Sequence, residues 1–180
     1  MLSRNKSMTV VAVLCLAALV LLAPPPERAG LFSIEIHVTT YIQRVGDPEP
    51  VFWSYHAGVL TTIGKNWVED QLGDSPAVDP AKWISLSTSA SSPSAAWTQI
   101  PTEIVADGLE RAAGTYASTG DGVWTMSKQF TATGTHTGVQ LMGVQWAASG
   151  DGNLMWSDTI TPVTLNSGDK LTVTATTTIS

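Results

Sequence analysis

Three histidines, one cysteine and fifteen acidic side chains are the residues of this 180-residue chain with the most obvious claim to chemistry. His37, His56 and His136 fall on separate stretches, and none has a Cys, an Asp or a second His at the short spacing a metal site needs. They are expected to be strand-face or loop histidines without catalytic duty. No Gly-x-Ser-x-Gly elbow, no phosphate-cradling glycine loop before a helix and no carboxylate pair in acid–base register occurs. Serine and threonine are so common that a triad could be drawn anywhere, which makes any such triad uninformative. Ser149-Gly150-Asp151-Gly152-Asn153 has one carboxylate and no distal bidentate Glu, so a hairpin turn is expected there in place of a calcium loop. Cys15 sits in an apolar N-terminal run, leaving the rest of the chain without thiol chemistry or disulfides. The sequence therefore predicts no catalytic residue, no metal and no cofactor.

The seven tryptophans offer a different chemistry, since an exposed ring packs on the apolar face of a sugar. Trp83, Trp124, Trp146 and Trp156 fall within strand-like runs, where packing is the commoner use. Trp53 and Trp97 lie nearer loops and are the candidate glycan contacts. Beyond residue 30 there are six Lys/Arg against fourteen Asp/Glu, a net charge of −8. That balance repels phosphate and anionic lipid, so nucleic acid is excluded as a partner.

The elements that must position these residues read as β-structure. Lys170 to Ile179 alternates, with Leu171, Val173, Ala175, Thr177 and Ile179 on one face and Thr172, Thr174, Thr176 and Thr178 on the other. Such period-two patterning between Gly/Asn/Asp turns marks an antiparallel strand with one buried face. Similar runs cover Val139 to Ala148, Asn153 to Thr161, Trp83 to Thr88, and a hairpin of Gly108 to Ser118 with Gly122 to Thr131. Thr62 to Gly73 switches to a period near 3.6, with Thr62 as N-cap, Ile63, Trp67 and Leu72 as an apolar stripe and Gly73 as the stop. Trp67 is expected to plug one end of the sheets. The fold class is thus an all-β antiparallel sandwich, jelly-roll-like, with one short helix.

At the front, Arg4 and Lys6 precede the apolar run 9–23 and three prolines. This predicts a signal peptide or signal anchor over 1–30, with membrane contact only through 9–23 if it is not cleaved. A single domain then spans 31–180. It opens on a long strand, 31–45, with Phe32, Ile34, Ile36, Val38, Thr40 and Ile42 on one face. At about 3.3 Å per residue this run would span roughly 50 Å. Either a bend or bulge splits it between two sheets, or part of it is donated to a neighbouring subunit as an added strand.

From Trp83 the chain carries Ile84-Ser85-Leu86-Ser87-Thr88, a Ser/Pro-rich loop, Thr102-Glu103-Ile104, Gly108-Leu109-Glu110-Arg111-Ala112, Ser127-Lys128-Gln129-Phe130-Thr131 and Val163 to Val173 around Asn166-Ser167-Gly168-Asp169. In this order it resembles a β-rich domain of phage tail and tail-fibre-like virion proteins and of their archaeal and bacterial relatives. Thr62-Ile63-Gly64-Lys65-Asn66-Trp67 is similar to the segment preceding it in that group. The resemblance implies a structural, non-enzymatic role, and the export-like front end departs from it. The expected function is a secreted or cell-surface subunit that self-assembles into an extracellular, pilus-like filament or surface array. Its donor face would be Phe32, Ile34, Ile36, Val38, Thr40 and Ile42. A phage or archaeal-virus tail or capsid protein, and a secreted module that binds polysaccharide through Trp53 and Trp97, are the alternatives.

Overall fold

The computed structural model describes residues 33–73 and 80–180. The expected signal or anchor over 1–30, the strand residues Leu31 and Phe32, and positions 74–79 lie outside the described residues. The elements run β1 (Ile34–Gln43), β2 (Val51–Ala57), β3 (Val59–Leu60), α1 (Thr62–Leu72), β4 (Trp83–Ser87) and β5 (Ala112–Ala113). They continue with β6 (Thr115–Gly120), β7 (Val123–Thr131), β8 (His136–Gln145), β9 (Leu154–Leu165) and β10 (Lys170–Ile179). Two five-stranded antiparallel sheets result, ordered β2-β1-β10-β7-β6 and β3-β9-β8-β4-β5. The protein is mostly β with one short helix, and one buried cluster joins both sheets.

The alternation in β10 has the expected outcome: Leu171, Val173, Ala175 and Thr177 are buried, and Thr172, Thr174, Thr176 and Thr178 are not. Ile179, at the strand's end, is exposed. On β1, Ile36, Val38, Thr40 and Ile42 are buried and Ile34 partly so. Burying each such aliphatic side chain contributes about 1.5–3 kcal/mol. The long first strand is neither split nor shared between sheets. It is ten residues long, about 33 Å, and pairs along its whole length with the equally long β10, Ile34 opposite Ile179 through Gln43 opposite Lys170.

Arg44 and Val45 leave the strand because Asp169 holds them. Its Oδ2 accepts from the Arg44 guanidinium at 2.6 Å and its Oδ1 from the Val45 N–H at 3.1 Å. The same carboxylate accepts from the Asn166 N–H at 3.0 Å, so one buried side chain clamps the β1–β2 loop to the β9–β10 turn. That turn needs Gly168, at φ +90°, where a Cβ would also press to 2.6 Å from Val45.

The helix starts one residue earlier than its sequence suggests. Thr61 is the N-cap, its hydroxyl accepting from the Gly64 N–H at 2.9 Å. Its N–H and hydroxyl donate to the Met155 carbonyl at 3.0 and 2.9 Å. Between Val144 and Gln145 the β8–β9 register slips, leaving Met155 as the extra residue of a bulge, and Thr61 satisfies the carbonyl that the ladder leaves unpaired. Gly64 is required by this docking, because a Cβ there would overlap the same carbonyl. Trp67 and Val68 pack on the core, whereas Leu72, placed in the apolar stripe by the sequence, is 74% exposed.

Candidate functional site

The donor-face residues lie in the chain's own core. β1 is flanked by β10 on one side and β2 on the other, so both of its hydrogen-bonding edges are occupied. To serve as a donor, Ile34, Ile36, Val38, Thr40 and Ile42 would have to abandon two ladders and a buried face. Phe32 is outside the described residues. Alternation marks a buried face but does not say whether its cover comes from the same chain or from another.

The two glycan candidates are not brought together. In β2 the register with β1 slips between Thr40 and Tyr41, making Trp53 the extra residue of a bulge. Its indole N–H donates to the Thr161 carbonyl of β9 at 2.8 Å, while the Thr161 N–H reaches the Ser54 hydroxyl at 3.3 Å. Trp53 therefore ties the β2 edge to the opposite sheet and keeps 37% exposure. Trp97 sits in a turn with its N–H on the Ser94 carbonyl, beside Thr98, which accepts from Gly152 and Leu154. Leu154 and Thr161 are seven residues apart on β9, roughly 23 Å.

The aromatic row that does reach solvent went unnoticed in the sequence. Tyr41 and Phe52 meet edge to face at 5.9 Å, and His37 stacks on Tyr55 at 5.2 Å. Phe52 and Tyr55 are more than half exposed. Thr172, Thr174 and Thr176 stand beside Tyr41, Thr39 and His37 in register, and Ser127 and Gln129 bond to Thr174 and Thr172 at 2.9 and 3.3 Å. The outer face of the first sheet is thus an aromatic strip next to a hydroxyl ladder. The signal was present in the polar-face positions His37 and Tyr41. The partners Phe52 and Tyr55 could not be assigned to the same face without the bulge.

The sheet edges differ. β3 and β5 are two residues long, and β2 is tied over by Trp53. β6 ends its sheet, and all six of its residues, Thr-Tyr-Ala-Ser-Thr-Gly, are exposed and uncharged.

The titratable groups do structural work. Arg111 grips Glu103 through two bonds, 2.8 and 2.6 Å, and donates to the Ala147 and Gly150 carbonyls and to Asn153 Oδ1. Asn153 Nδ2 in turn donates to the Ser149 and Gly150 carbonyls, which makes the 149–153 segment a turn braced from within. His136 pairs with Asp107 at 3.0 Å across a sequence gap that local spacing does not reveal. Among the described residues no three His, Cys, Asp or Glu side chains cluster. In a cleft of about 240 Å³ with His56, the Ser89 hydroxyl donates to the Ser91 hydroxyl at 3.1 Å and accepts from the Ser91 N–H at 3.2 Å.

Two buried carboxyls diverge. Asp158 shares a face of β9 with Trp156, opposite Met142 of β8. Burial pushes its pKa up to about 6, with the Thr159 N–H pulling the other way. For Asp169 burial is the largest single influence and acts upward, but the Asn166 N–H, Arg44 and the Val45 N–H together hold the carboxyl below its ordinary value.

Between the sheets, beside α1, lies an apolar cleft of about 200 Å³. Trp67, which lines it and stacks on Trp146 at 6.2 Å, carries a buried indole N–H that bonds to no group among the described residues. A donor left unmade in this way costs about 1–3 kcal/mol. No family model, curated protein or solved structure matches the chain.

Proposed function

We propose that this chain is a non-enzymatic structural subunit that assembles with copies of itself by pairing sheet edges, as an extracellular filament or surface array. The observation that carries the reading is β6: an edge strand with no charge, no proline and no cover among the described residues, paired evenly from Thr115 to Ser118 before a bulge at Thr119. Isolated proteins usually blunt such an edge, because its free N–H and C=O groups template another strand. The edge replaces β1 as the assembly element, since β1 is held on both sides. The finer architecture we infer is a jelly-roll-like sandwich, with first and last strands adjacent. The resemblance to phage-tail domains favours the same kind of role in a virion as the alternative setting.

Electron microscopy of the purified protein at low and high concentration tests this. Filaments or edge-joined oligomers that grow with concentration are expected, and the double variant Thr115→Lys/Ala117→Lys, both on the solvent face of β6, should disperse them without lowering Tm. A wild-type protein that stays monomeric across that range overturns the reading.

A second reading has its own observation, the strip of Tyr41, Phe52, Tyr55 and His37 beside the threonine ladder. Rings that stack on pyranose faces next to a row of hydroxyls suit a neutral polysaccharide. Retardation of the protein in a polysaccharide-containing native gel, lost in Phe52→Ala/Tyr55→Ala and kept in Trp97→Ala, would support it. Equal migration with and without polysaccharide would remove it.

A further inference from the structure

The cleft between the sheets has a composition that neither the assembly reading nor the glycan reading uses. Trp67 of α1, Tyr116 of β6, Trp124 and Met126 of β7, and Met155 and Trp156 of β9 contribute to its walls. Three indoles, a phenol and two thioethers form a polarisable surround suited to a flat apolar group. Its volume, about 200 Å³, exceeds the ~150 Å³ that accommodates a single benzene ring. Trp156 is 2% exposed and Met126 7%, so the deep wall is fixed by the core, whereas Tyr116, 61% exposed, stands at the solvent side.

The second observation is the Trp67 indole N–H, buried and without a partner among the described residues. Tryptophan donors are normally satisfied when buried. Here the wall contributes the apolar contacts and the donor is left over, which is the pattern of a site whose ligand brings the acceptor. We propose that this cleft binds a small apolar ligand, a single aromatic ring or a short acyl group, bearing one neutral hydrogen-bond acceptor for the Trp67 N–H. The acceptor is neutral because no cationic side chain among the described residues lines the cleft, and a carboxylate there would lose its hydration uncompensated.

Benzyl alcohol and toluene are near-isosteric probes with and without the acceptor. Titrating each into the purified protein should quench or shift tryptophan emission saturably and raise Tm by mass action, with benzyl alcohol bound about tenfold more tightly, the ratio one added hydrogen bond gives. Trp67→Phe should keep toluene binding and bring the ratio of the two affinities to about one. Ala175→Leu, which fills the cleft from β10, should abolish both signals while the variant stays folded by circular dichroism. The proposal fails if neither probe saturates. It also fails if Ala175→Leu binds both unchanged, or if the preference for benzyl alcohol survives Trp67→Phe. Because Tyr116 of β6 lies at the solvent side of the cleft, the titrations are made at the low concentration where the protein is monomeric, so that failure of the assembly reading leaves the test intact.

Discussion

Two aspartates show how the same side chain can weaken or hold this fold. Asp158 is 3% exposed, and one of its oxygens makes no hydrogen bond among the described residues. The folded state keeps its proton up to about pH 6, while the unfolded chain releases it near pH 4. Between those values the native state binds more protons, so stability falls as pH rises, by about 3 kcal/mol in all. Asp158→Asn should remove that slope and add about 1–3 kcal/mol at pH 7.5, read from urea unfolding at pH 4.5 and 7.5. An unchanged slope would place the titration elsewhere. Asp169 has the opposite sign. Its folded pKa is lowered, so its contribution is complete above the unfolded value and is lost as pH falls through the folded one. Asp169→Asn should cost about 1.5–3 kcal/mol at pH 7 and flatten the acid limb of the stability curve, because it removes the charged acceptor shared by Arg44 and the Val45 and Asn166 N–H groups.

At the scale of elements, bulges decide what the strands do. Met155 would be an ordinary ladder residue in an even β9, but as an added residue it offers a carbonyl to Thr61 and fixes the start of α1. Pro162 is tolerated within β9 because it also falls where the register shifts, between Val163 and Thr159, with no ladder bond to lose. Gly64→Ala should therefore destabilise by about 2–4 kcal/mol despite alanine's better helix propensity, since the helix must lift off β9. A stabilised Gly64→Ala protein in thermal denaturation would mean the helix does not dock there. In β2 the added residue turns Trp53 from the open face towards the seam between sheets, a placement that loop proximity in the sequence does not reveal.

For the whole molecule, one core drawn from both sheets implies one cooperative unfolding transition. Tryptophan emission and far-ultraviolet circular dichroism should give coincident urea midpoints, and separated midpoints would show that the sheets unfold independently. The sequence determined the class of structure: alternation in residues 34–43 and 170–179 is local, and a strand buries every second side chain whatever its neighbours are. The site of α1 was legible for the same reason, its period and glycine stop being properties of a dozen residues. Strand order, the pairing of β1 with β10, the Asp169 clamp, the open edge at β6 and the Trp67 cleft were decided only by tertiary structure. Each depends on which residues far apart in the chain become neighbours, and a one-residue bulge is enough to move a side chain such as Trp53 from one surface to another.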